Sequence, residues 1–428
     1  MIRMTRLMMA VTVLLLACWV QPAAIAQTPS TDVAGRVDEL EKQIEKLRQE
    51  IAALKQTAAP PPAQAALATP TAPAAAPAAD PLSGISSVLG GATFTGLVDG
   101  YYSFNTNSPG NHSSGNRFFD PSTNSFGLNL IEVGLTKAPD ATSRLGYNVT
   151  LGFGNAMNVV NSGDPSFLQY VKESYVSYLA PVGKGLQFDA GKFVTPNGAE
   201  VIETNGNWNY SRGLLFYYAI PYYHFGLRAK YTFNDKVALT GYVVNGWNNV
   251  TQNGGSGKTG GVSLVLTPTK KCSFTENWMG GPGALPSDGG NWRNLSDTVI
   301  AYNPTAKLSL MANVDYGRVN NYFGSGKAAE WAGVAGYFKY QASPLWAVAT
   351  RYEYYDDIDG VTTGVVGAQH MHEVTGTLER RIAQHLIARF EVRHDQSDVK
   401  SFLKGAATPV DGQTTVGGGL VFVFEPAR

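Results

Sequence analysis

Residues 143–154 read Ser143-Arg144-Leu145-Gly146-Tyr147-Asn148-Val149-Thr150-Leu151-Gly152-Phe153-Gly154. Leu145, Tyr147, Val149, Leu151 and Phe153 alternate with Arg144, Gly146, Asn148, Thr150 and Gly152. A period of two sends the two sets to opposite faces of a strand, one apolar and one polar or small. A soluble sandwich would need a second sheet over the apolar face. In a membrane barrel acyl chains cover that face, and the other can stay wet.

The same rhythm runs from Ala92 to Phe424 in segments of about 10 to 15 residues, with connections that are alternately short and long. About 16 segments can be counted, an even number as bacterial barrels require. The first spans 92–105, the last 412–424, and a long one 213–233. Short turns fall at Ala138–Thr142, Pro181–Gly185, Asn234-Asp235, Lys270-Lys271, Thr305, Ser343-Pro344 and Ala383-Gln384, and long polar connections at Asn105–Thr123, Asn155–Phe167 and Gly280–Asn291 among others. Short turns belong to the periplasmic end and long loops to the outside, so both ends of the chain are expected in the periplasm. The expected fold is all-β: a transmembrane antiparallel β-barrel of about 16 strands over residues 92–428.

Composition agrees. The 428 residues carry no formal net charge; 15% are charged, 11% are aromatic and 47 are glycine, a balance low in charge and rich in aromatics and glycine for a soluble protein. Zero net charge gives no reason to invoke nucleic acid.

Three segments precede the barrel. Arg3 and Arg6, the apolar run Val11–Ala17 and the small-x-small site Ala24-Ile25-Ala26 read as a signal peptide over residues 1–26, with Gln27 starting the mature chain. A rival reading takes Leu15-Leu16-Ala17-Cys18 as a lipoprotein cleavage box that would lipidate Cys18. Over 27–57, Val33, Val37, Leu40, Ile44, Leu47, Ile51 and Leu54 follow at alternating spacings of four and three, a heptad seam flanked by charged residues. This predicts a short coiled-coil helix; a lone amphipathic helix on a periplasmic partner is the alternative. Residues 58–91 are mostly an alanine and proline linker that cannot bury enough surface to fold.

Between Gly191 and Trp247 the sequence becomes specific. Gly191-Lys192-Phe193-Val194-Thr195-Pro196-Asn197-Gly198-Ala199-Glu200, Ser211-Arg212-Gly213-Leu214-Leu215-Phe216, Ala219-Ile220-Pro221, Tyr231-Thr232-Phe233-Asn234-Asp235 and Asn245-Gly246-Trp247 resemble the beta-barrel porin-2 (OmpL-like) family. The last strand, with Gly417, Gly419, Leu420, Phe422 and Phe424, resembles the assembly signal of outer-membrane barrels. The resemblance covers the barrel and not the arm. It implies an outer-membrane channel of Gram-negative bacteria, with no catalytic residues and no cofactor to carry over.

The third long loop, Asn197–Arg212, carries Glu200 and Glu203. If it folds into the lumen, as third loops do in many 16-stranded porins, these carboxylates face Arg228, Lys230, Arg351, Arg389 and Arg393 of the inward set, and a transverse field forms at a constriction. Inward acids are Asp99, Glu132, Asp189, Asp315, Glu353, Glu373, Glu379 and Glu391, which nearly balance the bases and predict weak selectivity. If the loop stays outside, the same charges are solvated lumen residues. Aromatic clusters at Tyr101-Tyr102, Phe216-Tyr217-Tyr218, Tyr222-Tyr223 and Tyr352 with Tyr354-Tyr355 are expected in interfacial girdles, or else in packing between loops.

Other chemistry has thin support. His370 and His372 share an outward strand face, two ligands where a metal site usually needs more. Asp356, Asp357 and Asp359 ahead of Gly360 form an acidic loop that could hold calcium. His394-Asp395 suggests a hydrolase dyad, but no serine nucleophile or second carboxylate sits at a recognisable spacing and neighbours on a strand point to opposite faces. The leading expectation is a porin for passive diffusion of small hydrophilic solutes, partnered by outer-membrane lipids and by further copies of itself, a trimer by analogy. A structural barrel tethered by its arm to a periplasmic layer such as peptidoglycan, or a barrel hydrolase, stays open beside it.

Overall fold

A computed structural model describes residues 90–251, 257–283 and 288–424. The segments expected as signal sequence, heptad helix and linker, up to residue 89, lie outside the described residues.

Sixteen strands close into one barrel: β1 (Thr93–Asn105), β2 (Ser125–Lys137), β3 (Leu145–Phe153), β4 (Val171–Ala180), β5 (Leu186–Val194), β6 (Tyr223–Asn234), β7 (Val237–Val244), β8 (Thr259–Thr269), β9 (Cys272–Pro282), β10 (Trp292–Tyr302), β11 (Leu308–Val319), β12 (Ala329–Gln341), β13 (Trp346–Asp357), β14 (Gln369–Ala383), β15 (Leu386–Ser397) and β18 (Gly412–Phe424). A hairpin of β16 (Phe402–Lys404) and β17 (Thr408–Val410) stands apart in the last long loop. Each barrel strand pairs antiparallel with its neighbours, and β1 closes the ring on β18 from Gly96↔Phe424 to Asn105↔Thr415. Closure leaves no strand edge unpaired, which the hydrocarbon layer demands.

The alternation decides which side faces lipid. On β3, Leu145, Val149, Leu151 and Phe153 are exposed while Gly146, Asn148, Thr150 and Gly152 are buried. On β14, Glu373, Thr375, Thr377 and Glu379 point inward and Val374 and Leu378 outward. Two of the register shifts in the barrel turn side chains into the lumen. One β2 residue has no partner where Asp99 pairs Leu130 and Gly100 pairs Leu128, so Asn129 and Leu130 both turn inward. On β4, Thr150 pairs Glu173 and Leu151 pairs Val171, which leaves Lys172 as the extra, buried residue.

Three long connections fold into the lumen: L1 (106–124), L2 (154–170, with helix α1, Asn155–Val160) and L3 (195–222). Their apolar residues make the internal core, where Phe119, Met157, Val160, Phe216, Ile220 and Tyr222 are buried together. The long segment expected over 213–233 is therefore corrected. Only Tyr223–Asn234 is strand; Leu215–Ala219 forms a π-helical turn of L3. The girdle expectation changes with it. Phe216 packs on Phe119 and Tyr222, and Tyr218 stacks on Tyr355, because these rings cover each other inside the mouth. Tyr102 and Tyr352 do face outward.

Candidate functional site

L3 leaves β5 and reaches strands half-way round the ring. Its entry is held by amides. Gly198 N donates to Asp297 Oδ1 (2.9 Å) on β10 and Ala199 N to Asn313 Oδ1 (3.1 Å) on β11, while Asn277 Nδ2 on β9 donates to Pro196 O (3.1 Å). Gly198 has φ +94°, a left-handed conformation natural to glycine, and a Cβ there would strike the Ile220 side chain.

Glu200 then crosses to β13, where Oε1 lies 2.5 Å from Arg351 NH1. Its other oxygen accepts from Gly213 N (2.6 Å), so the carboxylate fastens both limbs of the loop. Arg351 also donates to Glu373 (2.7 Å) and to Ser211 O (2.7 Å). At the tip, Glu203 bonds Lys172, whose ammonium meets Glu132 at 2.5 Å, and Thr204 bonds Asp99. The returning limb runs along β15. Arg389 donates to the carbonyls of Thr204 (2.6 Å), Asn207 (2.7 Å) and Asn209 (3.0 Å), Glu391 accepts from Tyr210 N (2.6 Å) and Ser211 N (3.1 Å), and Arg393 donates to Arg212 O (2.7 Å). Glu353 on β13 accepts from Leu214 N, and Trp331 Nε1 donates to Ala219 O (3.2 Å).

Wall charges thus satisfy the backbone of an irregular loop that has no sheet partner. L1 adds a second layer: Arg117 donates to Thr415 Oγ1 (2.7 Å), pairs Asp120 and approaches Glu391 to 3.8 Å.

The residues expected at the constriction separate into two groups. Glu200, Arg351, Arg389 and Arg393 come together, and all four are buried beneath or within L3. Glu203 does not meet the arginines but Lys172, a residue that alternation assigns to the outside and the bulge turns in. Arg228 bonds Asp189 across to β5 (2.7 Å) and lies over the rings of Tyr175 and Phe193. Lys230 is exposed. The side chains of Arg228 and Glu203 keep 24% and 25% of their surface exposed, so with Lys230 they are the members of the set that a solute can touch. A cavity of about 140 Å³ lies beside the entry of L3, lined by Thr195, Asn197, Glu200, Glu203, Phe216 and Tyr222 among others. Among the inward acids, Asp99 bonds Tyr210 OH (2.6 Å) and Glu379 pairs Arg389 (2.7 Å).

The remaining candidates stand elsewhere. His370 lies on the outer face between Asp398 (2.5 Å) and Asp356 (3.3 Å), and His372 bonds Tyr352 OH (2.8 Å). Asp357 accepts from the amides of Val361, Thr362 and Thr363 at 2.7–3.0 Å, ordering the acidic loop from within. His394 turns to the lipid side, bonding Thr414 (2.9 Å), while Asp395 faces inward to Arg393 (2.6 Å).

Over residues 91–424 the sequence matches the family described as "Putative beta-barrel porin-2, OmpL-like". No curated protein matches. Among solved structures, the trimer form of OmpT from Vibrio cholerae is similar at 12% identity and TM-score 0.52, over 78% of this chain and 99% of that one. The anion-selective porin from Comamonas acidovorans gives the same values. The outer-membrane channel DcaP of Acinetobacter baumannii follows at 9% identity and TM-score 0.50, over 78% and 97%. At these identities the likeness is one of fold.

Proposed function

The chain belongs to the beta-barrel porin-2, OmpL-like family, and from that premise we propose an outer-membrane porin that passes small hydrophilic solutes by passive diffusion through a passage narrowed by L3. The observation that carries this is the bracing of L3 inside the barrel. It lies against β9 to β15 and β18, against β1 and β2, and through Glu203 against Lys172 at the start of β4, which leaves the polar inner face of β5 to β7, with Gln187, Arg228, Lys230 and Thr240, as the other side of the passage. Across it, Glu203 on the loop and Arg228 and Lys230 on the wall supply opposite charges in small number, so selectivity is weak.

Single-channel conductance of the purified, refolded protein in planar bilayers, with the reversal potential taken across a salt gradient, tests this. Discrete steps with a small reversal potential are expected; a folded protein without steps would sink it. Grouped closures in threes would support a trimer, an assembly proposed by analogy with the trimer form of OmpT. The seam Val37, Leu40, Ile44, Leu47, Ile51 and Leu54 supports a second role, a coiled-coil arm in the periplasm that contacts peptidoglycan or another periplasmic layer. Deleting residues 27–81 should abolish co-sedimentation with peptidoglycan and leave conductance unchanged.

A further inference from the structure

Asp297 on β10 and Asp315 on β11 are directly paired across the two strands, both facing inward and both 0% exposed. Like charges so placed repel, and burial removes the water that would screen them. Asp297 is well supplied with donors: Gly198 N at 2.9 Å, Asn277 Nδ2 at 2.7 Å and Asn313 Nδ2 at 2.6 Å. Asp315 is not. Neither of its carboxylate oxygens has a hydrogen-bond partner among the described residues, and its charged neighbours, Asp297 and Glu353, are both acidic. The next residue in the row, Gly333 on β12, has no side chain to answer it, and Leu215 of L3 packs there instead. Asn277, on the other side of Asp297 in the same row, also keeps its amide oxygen buried without a partner.

We propose that Asp297 and Asp315 form a binding site for a divalent cation of the calcium type, which ties the entry of L3 to β10 and β11. Two carboxylates balance a charge of two. The donors are all oxygen, with neither cysteine nor histidine among them, which selects a hard cation over zinc or copper. Both oxygens of Asp315 are open to a cation, Asp297 keeps one lone pair on Oδ2 because Oδ1 already accepts from Gly198 N and Asn277 Nδ2, and the buried amide oxygen of Asn277 is a further oxygen ligand. Because Asp297 and Asn313 also hold Gly198 and Ala199, the cation strengthens the contact that fixes where L3 enters the lumen.

The full protein in detergent, stripped with chelator, is titrated with terbium, whose luminescence reports transfer from nearby rings such as Tyr355, in the same row of the wall. Calcium is then used as competitor, and thermal unfolding is followed with calcium, with magnesium and with neither. A saturable signal displaced by calcium, a rise in unfolding temperature with calcium, and loss of both in Asp315→Asn are expected. Asp297→Asn serves as a second variant should the first not fold. No saturable signal in the unmodified protein, or an undiminished one in whichever variant folds, overturns the proposal. So does an Asp315→Asn protein as stable without cation as the unmodified one with it, since the two carboxyls would then share a proton and need no metal.

Discussion

Arg351 and Glu200 meet at 2.5 Å across 151 residues of sequence, with the arginine on the far wall and the glutamate on the loop that crosses to it. Both are buried, and each has further work: Arg351 holds Glu373 and Ser211 O, and Glu200 holds Gly213 N. Removing one partner of such a pair strands the other, at a cost of about 3–5 kcal/mol. Arg351→Ala should therefore lower the denaturant midpoint of the refolded barrel and raise single-channel conductance as L3 loosens. Unchanged conductance in the folded variant would mean that L3 does not set the narrowest point.

Gly213 tests the returning limb. A Cβ at this position would collide with the carboxylate of Glu353, the group that accepts from Leu214 N. The backbone at Gly213 is in an ordinary conformation, so the effect of Gly213→Ala is steric and not one of strain. A loss of about 1–3 kcal/mol is expected, the range for overpacking. Urea unfolding of Gly213→Ala beside Gly336→Ala, where nothing lies within 4 Å of the added methyl, separates this from a general cost of replacing glycine.

Alternation made the barrel legible, because a period of two assigns every residue of a regular strand to lipid or lumen. Asp99, Glu353, Glu373 and Glu391 are found inside as their parity requires. Parity fails at a bulge: alternation alone would put Lys172 outside, and nothing in the sequence marks its bond to Glu203. Leu214 to Tyr222 is apolar enough to pass for the start of a strand. Nothing local shows that its rings pack on Phe119 and Tyr355, which come from L1 and β13. The inward bases were identified too, but their use was not. Arg389 donates mainly to loop carbonyls, and Arg393 to two of them besides Asp395 and Glu373; backbone acceptors leave no mark in a sequence.

Acidity should act on the Glu203 carboxylate at the tip of L3 at low pH. Burial alone would raise the Glu203 carboxyl, but the charge and hydrogen bond of Lys172 outweigh it and hold the group below the ordinary glutamate range. A carboxyl depressed in the folded state contributes stability in full above its unfolded value, about 4.3, and loses it as pH falls through the lower folded value. The difference in unfolding temperature between the unmodified protein and Glu203→Gln should be constant from neutral pH down to that value and shrink below it. A difference that shrinks already near neutrality, and does so also in a Glu132→Gln background, would show that Lys172 does not hold Glu203 as a carboxylate.

Lys230 and Arg228 offer the clearest reading of selectivity, because the buried arginines are committed to L3 and a passing ion meets these two instead. Lys230 is exposed, so exchanging it should change stability by no more than about 0.5 kcal/mol. Lys230→Glu replaces one positive charge with a negative one opposite Glu203 and should move the zero-current potential toward cation preference at constant conductance. Arg228→Gln should shift it the same way by less, since Asp189 already neutralises part of that charge. The shifts should shrink as salt rises from 0.1 M toward 1 M and the screening length falls from about 10 Å to about 3 Å. Equal shifts at both salt concentrations would place the deciding charge inside the buried network and return Arg351, Arg389 and Arg393 to the passage.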